Sequence, residues 1–215
     1  MRHYSAKALE ELPSRYRAHF IYSCTGYKSA NLIGSVAKDG LTNVAVFSSV
    51  IHLGSNPPLL GFMLRPTTVA RNTYDNLKKN GVFTVNHIHN DILRAAHQTS
   101  AKYDGLISEF DKVNLQEEFL DDFKAPYVKE SKIKLGCQFS SEYFIKENEC
   151  LFITGAIEHI YLDEGIQAED GWLDLEKSQT LAVDGLDGYS LPRLVERLSY
   201  AQPDEDLKKV PRDGA

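Results

Sequence analysis

The sequence predicts a mainly β, antiparallel domain with short helices, closed as a barrel. Three observations predict it. Asp39-Gly40 separates two strand-like runs by a tight turn, because glycine accepts a positive φ. Further along, Ile133, Leu135, Cys137 and Phe139 alternate with Lys132, Lys134, Gly136 and Gln138, which is the period of a half-buried strand. A turn at Glu147-Asn148 then returns the chain through 151–162. Strands joined by short turns, with few helical stretches between them, favour a barrel over a doubly wound parallel sheet.

The elements follow in order. Residues 5–12 suit a short helix with Ser5 as N-cap and Pro13 beyond its end. Phe20 to Ser23 reads as a first strand and 26–29 as a loop. Strands are expected over 31–37 and 42–50, with Asn56-Pro57-Pro58 ending the loop after them. The apolar run 59–64 reads as a strand central in the sheet. A helix is expected over 68–80, where Val69, Thr73 and Leu77 share a face and Gly81 stops it. Next come a strand over 82–88 and a second helix over 91–99 capped by Asn90. Residues 104–130 are irregular and acidic. The strand 151–162, apolar on both faces, is expected to be buried, and the charged chain after Tyr200 to pack poorly.

A chain of 215 residues with 42% hydrophobic and 25% charged residues fits one globular domain with a sizeable core. The net charge of −6 argues against a general nucleic-acid binder. Cys24, Cys137 and Cys150 form no CxxC pair, so they read as reduced, mostly buried thiols. The N-terminus carries charges throughout, unlike a signal peptide, and no run reaches membrane-span length. A cytoplasmic protein is expected.

Small polar residues gather where the expected elements begin and end. Asn43 opens one strand and Ser48 and Ser49 lie late in it, so backbone groups from Phe47 to Val50 can meet the edge of a flat ring. Thr67 and Thr68 stand at the mouth of the expected helix, with Arg71 and Thr73 in its first turns. Unpaired N–H groups and partial positive charge at a helix start can hold a phosphate. A planar, phosphorylated cofactor is the ligand these features suit. His87 and His89 form an HxH on a strand, which can also begin a metal site, but no third ligand is evident. Neither a GxSxG elbow nor a GxGxxG or Walker loop is present.

In order, the chain reads Asp39-Gly40, Thr42-Asn43, Val44-Ala45-Val46-Phe47-Ser48-Ser49, Ser55-Asn56-Pro57-Pro58-Leu59, Arg65-Pro66, Arg71-Asn72-Thr73 and Phe83-Thr84-Val85-Asn86. Later come Ser100-Ala101-Lys102-Tyr103, Leu151-Phe152-Ile153-Thr154-Gly155 and Gly185-Leu186-Asp187-Gly188-Tyr189. This series resembles the flavin reductase family, the FMN-binding split β-barrels that include flavoredoxin. The resemblance covers most of 17–202, leaving 1–16 as a helical extension and 203–215 as a charged tail. It implies FMN, or FAD, held by Asn43, Phe47, Ser48, Ser49, Val50, Arg65, Thr67, Thr68, Arg71, Thr73, Asn86 and His87. Arg71 and Thr73 take the phosphate, and His87 lies near the flavin or nicotinamide. It further implies a homodimer with flavin at the interface and hydride transfer from NADH or NADPH. A monooxygenase or another electron acceptor is the implied partner, with no nucleic acid and no membrane. A flavin supplies its own redox chemistry, so the missing nucleophiles and carboxylate dyads agree with this reading.

The chain departs from the family's pattern at Gly26-Tyr27-Lys28-Ser29-Ala30, where many members carry Pro-Arg-Pro, and at Asn72, where Asp is usual. Lys28 can replace the charge of that Arg but not its planar fork. The rivals are a flavoredoxin-like electron carrier without direct NAD(P)H use, a metal-binding β-barrel using His87 and His89, and a barrel without flavin. Trp172 packs against the barrel or covers the site; the sequence leaves both open.

Overall fold

The computed structural model describes residues 1–69 and 71–214. In chain order the helices are α1 (Ala6–Glu10), α2 (Ser14–Cys24), α3 (Asn72–Asn80), α4 (Leu93–Gln98) and α5 (Glu109–Val113). The strands are β1 (Lys28–Ser29), β2 (Asn31–Val36), β3 (Thr42–Phe47), β4 (Ile51–Ser55), β5 (Pro58–Leu64), β6 (Val82–His87), β7 (Glu117–Glu118), β8 (Tyr127–Val128), β9 (Ile133–Ile145), β10 (Cys150–Leu162), β11 (Ala182–Asp184), β12 (Gly188–Ser190), β13 (Arg197–Leu198) and β14 (Lys209–Val210).

Seven strands form one antiparallel sheet in the order β3-β2-β6-β9-β10-β5-β4. Its two edge strands, β3 and β4, are consecutive in the chain, joined only by Ser48, Ser49 and Val50. Laid flat, seven strands would hold those edges about 29 Å apart. The chain from Phe47 to Ile51 can span at most about 14 Å. The sheet must therefore roll until its edges approach. The ladder does not continue across them, so the barrel is split along a seam at 48–50.

Ile33, Phe62, Leu77, Phe83, Val85, Cys137 and Ile153 fill the inside. The Phe47, Phe62 and Phe83 rings meet edge to face at 5.2 and 5.5 Å. On the other side of β2, β3 and β6, Leu32, Val44 and Ile88 pack with Ile92, Ala96, Phe110 and Val183. The β2–β3 hairpin turns at Gly40 with φ +91°, as expected, and Gly81 ends α3 with φ +74° and an N–H bond to Leu77 O of 2.8 Å.

Several expectations are corrected. Phe20–Ser23 is helical, not a strand: α2 starts after Pro13, with Arg17 N–H bonded to Pro13 O at 2.9 Å, and carries the aromatic residues along. The Lys28 ammonium donates to the Tyr22 and Gly26 carbonyls at 2.5 and 2.6 Å beyond the end of α2, so it closes a helix rather than replacing an arginine in the site. Ile51–Ser55, expected as a loop, is β4, because it pairs with β5. β5 lies one strand from the edge instead of centrally. β10 is mostly half-buried, and Ile160 on it is exposed. Of the cysteines only Cys137 is buried, where burial pushes its thiol pKa up, and Cys24 is exposed.

The tail is better tied than its composition suggests. β13 pairs with β14, Arg197 pairs with Asp170, and its guanidinium lies 4.5 Å over the Trp172 ring. Arg212 contacts Asp174 at 2.5 Å and Glu176 at 3.0 Å, and holds the Asp174 carboxyl down to about 2. Trp172 thus stacks under the tail. No helix among the described residues is long and apolar enough to cross a membrane.

Candidate flavin site

The seam is fastened to β5, and the chain runs on from β5 into the loop before α3. Phe47, Ser48, Ser49 and Val50 are half-buried. Ser49 Oγ donates to Met63 O at 3.2 Å and accepts from Met63 N–H at 3.1 Å, which fastens the seam to β5. Val50 O accepts from Ser29 Oγ at 2.7 Å. The Ser48 hydroxyl has no hydrogen-bond partner among the described residues. Arg65 follows β5 only two residues beyond Met63, about 7 Å along the strand.

The loop after Arg65 carries the polar groups that the sequence singled out, but its structure differs from the expectation. α3 begins at Asn72 rather than Thr68, and its N-cap is Arg71 in extended backbone (φ −132°, ψ 92°). Thr67 and Thr68 do not cap it, and Ala70 lies outside the described residues. The turn after Pro66 displaces the helix start, which leaves Val69 56% exposed instead of on the buried face. Thr67, Thr68 and Arg65 are exposed, and Arg71 is half-buried. Among the described residues the Arg71 guanidinium hydrogen-bonds only Pro66 O, at 3.4 and 3.5 Å.

Asn43, at the start of β3, and Thr73, in the first turn of α3, are buried, 5% and 6% exposed. With its oxygen turned toward the donors, the Asn43 amide accepts from Val44 N–H at 3.2 Å and Thr73 Oγ1 at 3.1 Å and donates to Glu109 Oε2 at 3.1 Å; turned the other way, its NH2 donates to Thr73 Oγ1 at 3.1 Å and Ser35 Oγ at 3.4 Å. Beside them Asn76 Nδ2 donates to Ser35 Oγ at 3.1 Å. This polar cluster anchors α3 to β2 and β3. Burial raises the Glu109 carboxyl pKa, against hydrogen bonds from its own N–H and that of Val44. The sequence reading missed Glu109, because an acid in an irregular acidic stretch carries no local signal.

Asn86 is placed differently from the expectation of a flavin contact. It has no exposed surface: Nδ2 donates to Leu32 O and Thr84 Oγ1, and Oδ1 accepts from Val128 N–H at 3.0 Å. Its polar atoms fasten β8 to the sheet. His89 is likewise engaged. Its Nε2 donates to Glu130 O at 2.9 Å, its Nδ1 accepts from Asp91 N–H at 3.4 Å, and it, not Asn90, is the N-cap of the short 3-10 turn Asn90–Ile92 that leads into α4. Among the described residues no group of three His, Cys, Asp or Glu is placed to hold a metal.

His87 stands on the row Phe47–Asn31–His87 across three strands. Asn31 Nδ2 on that row is buried with no partner. Burial lowers the His87 pKa from 6.5 to about 4, so its ring is neutral. A depressed folded pKa means the unfolded chain takes the proton first. The resulting stability is present above pH 6.5 and lost as pH falls through about 4. Replacing His87 by Gln should therefore flatten the fall in apo-protein Tm over that window, by on the order of 2 kcal/mol, less than full linkage because part of the ring meets solvent. Parallel Tm–pH curves for the two proteins would contradict this.

A half-buried seam of apolar and small polar groups is thus pinned to β5, which leads within a few residues to two guanidinium groups and two exposed hydroxyls. That donor set suits a flat ring bearing a phosphate. The model of the flavin reductase like domain matches residues 25–180. The chain belongs to the flavin reductase like domain family. A solved split barrel domain from Shewanella frigidimarina NCIMB 400, a flavin reductase candidate, is 43% identical, covers 94% of this chain and 100% of its own, and superposes with a TM-score of 0.91. Two structures at 20% identity share the fold. Nitrilotriacetate monooxygenase component B from Bacillus cereus has a TM-score of 0.81, over 92% of this chain and 98% of its own. Flavoredoxin of Desulfovibrio vulgaris (Miyazaki F) has 0.69, over 83% and 93%. The split-barrel fold expected from the sequence is the observed one.

Proposed function

We propose that this flavin reductase family member binds FMN along the 48–50 seam and reduces it with NADH or NADPH. The observation that carries the reading is the fastening of the seam to Met63 of β5, whose chain runs on directly into the loop with Arg65, Thr67, Thr68 and Arg71. Bound there, the flavin would supply the hydride-accepting ring. The seam binds its edge through Ser48 and backbone groups, and Phe47 backs it from the core. Arg71 and Arg65 neutralise the phosphate, and the exposed threonine hydroxyls complete its hydrogen bonds. Thr73, with its hydroxyl turned inward, sets the position of the helix start. The neutral His87 keeps positive charge away from the row beside the seam.

The reading includes a homodimer. Ile51 and Leu53 of edge strand β4 are exposed beside the seam, and a flat cofactor on an open seam needs a second wall. Two hollows, of about 200 and 270 Å³, lie elsewhere, against the tail and beside Lys132 and Gly165. A monooxygenase or another flavin-using acceptor is the proposed partner.

Reconstitution with FMN under anaerobic conditions tests the proposal. The protein should retain the flavin absorption bands after desalting, and NADH or NADPH should bleach them. Retained bands that bleach only with a reduced protein donor would make it an electron carrier instead. Failure to retain or quench FMN overturns the reading.

A further inference from the structure

The chain that leads into β2 runs alongside the seam. β2 and β3 pair antiparallel, with Asn31 opposite Phe47. Continued past that pair, the same register sets Ser29 opposite Ser49 and Tyr27 opposite Ile51. The ladder itself stops at Phe47, but the two chains stay together, because the Ser29 hydroxyl donates to Val50 O at 2.7 Å. β1 is fixed on its other side by pairing with β11, where Lys28 stands opposite Val183.

Side chains on an extended chain alternate, so Tyr27, Ser29 and Asn31 share one side and Lys28 and Ala30 the other. Ser29 shows that its side faces the seam. The opposite side faces away from it: Lys28 returns to the Tyr22 and Gly26 carbonyls, and Ala30 packs with Leu32 and Ile88 in the outer core. Tyr27 therefore stands on the seam side, about 7 Å along the chain from Ser29. It is 66% exposed, and Ile51 opposite it is 50% exposed. Among the described residues the Tyr27 hydroxyl has no hydrogen-bond partner, and its ring meets no other aromatic ring. One exposed aromatic is ordinary on a surface. This one is carried on a backbone held from both sides, beside three residues with half-buried polar and apolar groups.

We infer that Tyr27 packs its ring against the flavin ring and makes that ring, not only the phosphate, a determinant of binding. The inference rests on the proposal that the seam binds flavin. It widens the ligand class to flavins without a phosphate: riboflavin binds more weakly than FMN but through the same ring contact. Tyr27 lies in the stretch where this chain departs from the family's Pro-Arg-Pro, so an aromatic face here takes a place that a charged fork holds in other members.

The test is titration of the full chain with FMN and with riboflavin, read by flavin fluorescence. Tyr27→Ala should weaken both about three- to tenfold, the usual worth of an aromatic pair, and leave their ratio unchanged. The flavin that remains bound should also be brighter, because a stacked phenol quenches the excited ring by electron transfer. Tyr27→Phe keeps the stacking face and loses the phenol. It should hold both affinities within about twofold while the bound flavin brightens as in the alanine variant. Because Tyr27 is exposed, both variants should melt with the wild type. An alanine variant with wild-type affinities and wild-type quenching would overturn the inference. So would a loss confined to FMN, which would set Tyr27 at the phosphate, or a phenylalanine variant that binds as weakly as alanine. A wild-type protein that binds neither flavin would instead remove the flavin reading, and this inference with it.

Discussion

Arg71→Ala is expected to weaken FMN binding about ten- to a hundred-fold and to leave riboflavin binding nearly unchanged, a loss of roughly 1.5–3 kcal/mol. Charge-assisted hydrogen bonds to a phosphate are stronger than neutral ones, and a guanidinium offers a planar fork of donors. Among the described residues this fork hydrogen-bonds only Pro66 O, by two long contacts, so its removal should disturb little of the fold. Thr67→Ala or Thr68→Ala should cost less, because each removes one neutral hydroxyl. Fluorescence titration with both flavins decides the matter. Equal losses for FMN and riboflavin would indicate general damage, and no loss for either would place the phosphate elsewhere.

Gly34→Ala should destabilise the fold by about 3 kcal/mol, at the upper end for overpacking, and lower Tm by roughly 6–12 °C. A Cβ at Gly34 would lie 2.2 Å from Pro126 O and 2.5 Å from Thr84 Oγ1. The first is backbone, and the second already donates to that carbonyl at 2.6 Å, so neither can move aside alone. Pro126 is held from its other side by Val128 N–H on Asn86, so the segment carrying β8 would have to lift off the sheet. Gly54→Ala is the control: its Cβ would meet only Pro57 O, at 3.2 Å, on an edge strand. Thermal melts of the two variants should separate clearly. A Gly34→Ala protein as stable as Gly54→Ala would mean that this close approach does not hold β8 in place.

Local signals were legible wherever neighbouring residues enforce them. The Asp39-Gly40 turn, the β9–β10 hairpin and the Gly81 helix stop depend on backbone conformations that a few side chains select. Competition between local signals misled at Phe20–Ser23, where aromatic and β-branched residues favour a strand but a helix already nucleated at Pro13 runs through them. At Ile51–Ser55 the misleading feature was a strand whose pairing comes from its hairpin neighbour rather than from its own pattern. Its partner β5 makes a strand of a stretch with no alternation of its own.

By itself, the sequence determined an antiparallel, mainly β domain, its main turns, and a gathering of small polar and basic residues between Asn43 and Thr73. Its motif order also pointed to the family. Only the tertiary structure decided which of those residues are buried and which are exposed. Asn43, Thr73 and Asn86 are polar like Ser48 and Thr68, yet the first three are buried and paired with other side chains or the backbone inside the fold. The difference arises from strand order. Because β3 and β4 are adjacent in the chain but stand at opposite ends of the sheet, the sheet rolls, and Phe47 to Val50 become its seam. Which residues line a seam depends on where distant edges meet, and no local pattern of side chains encodes that meeting.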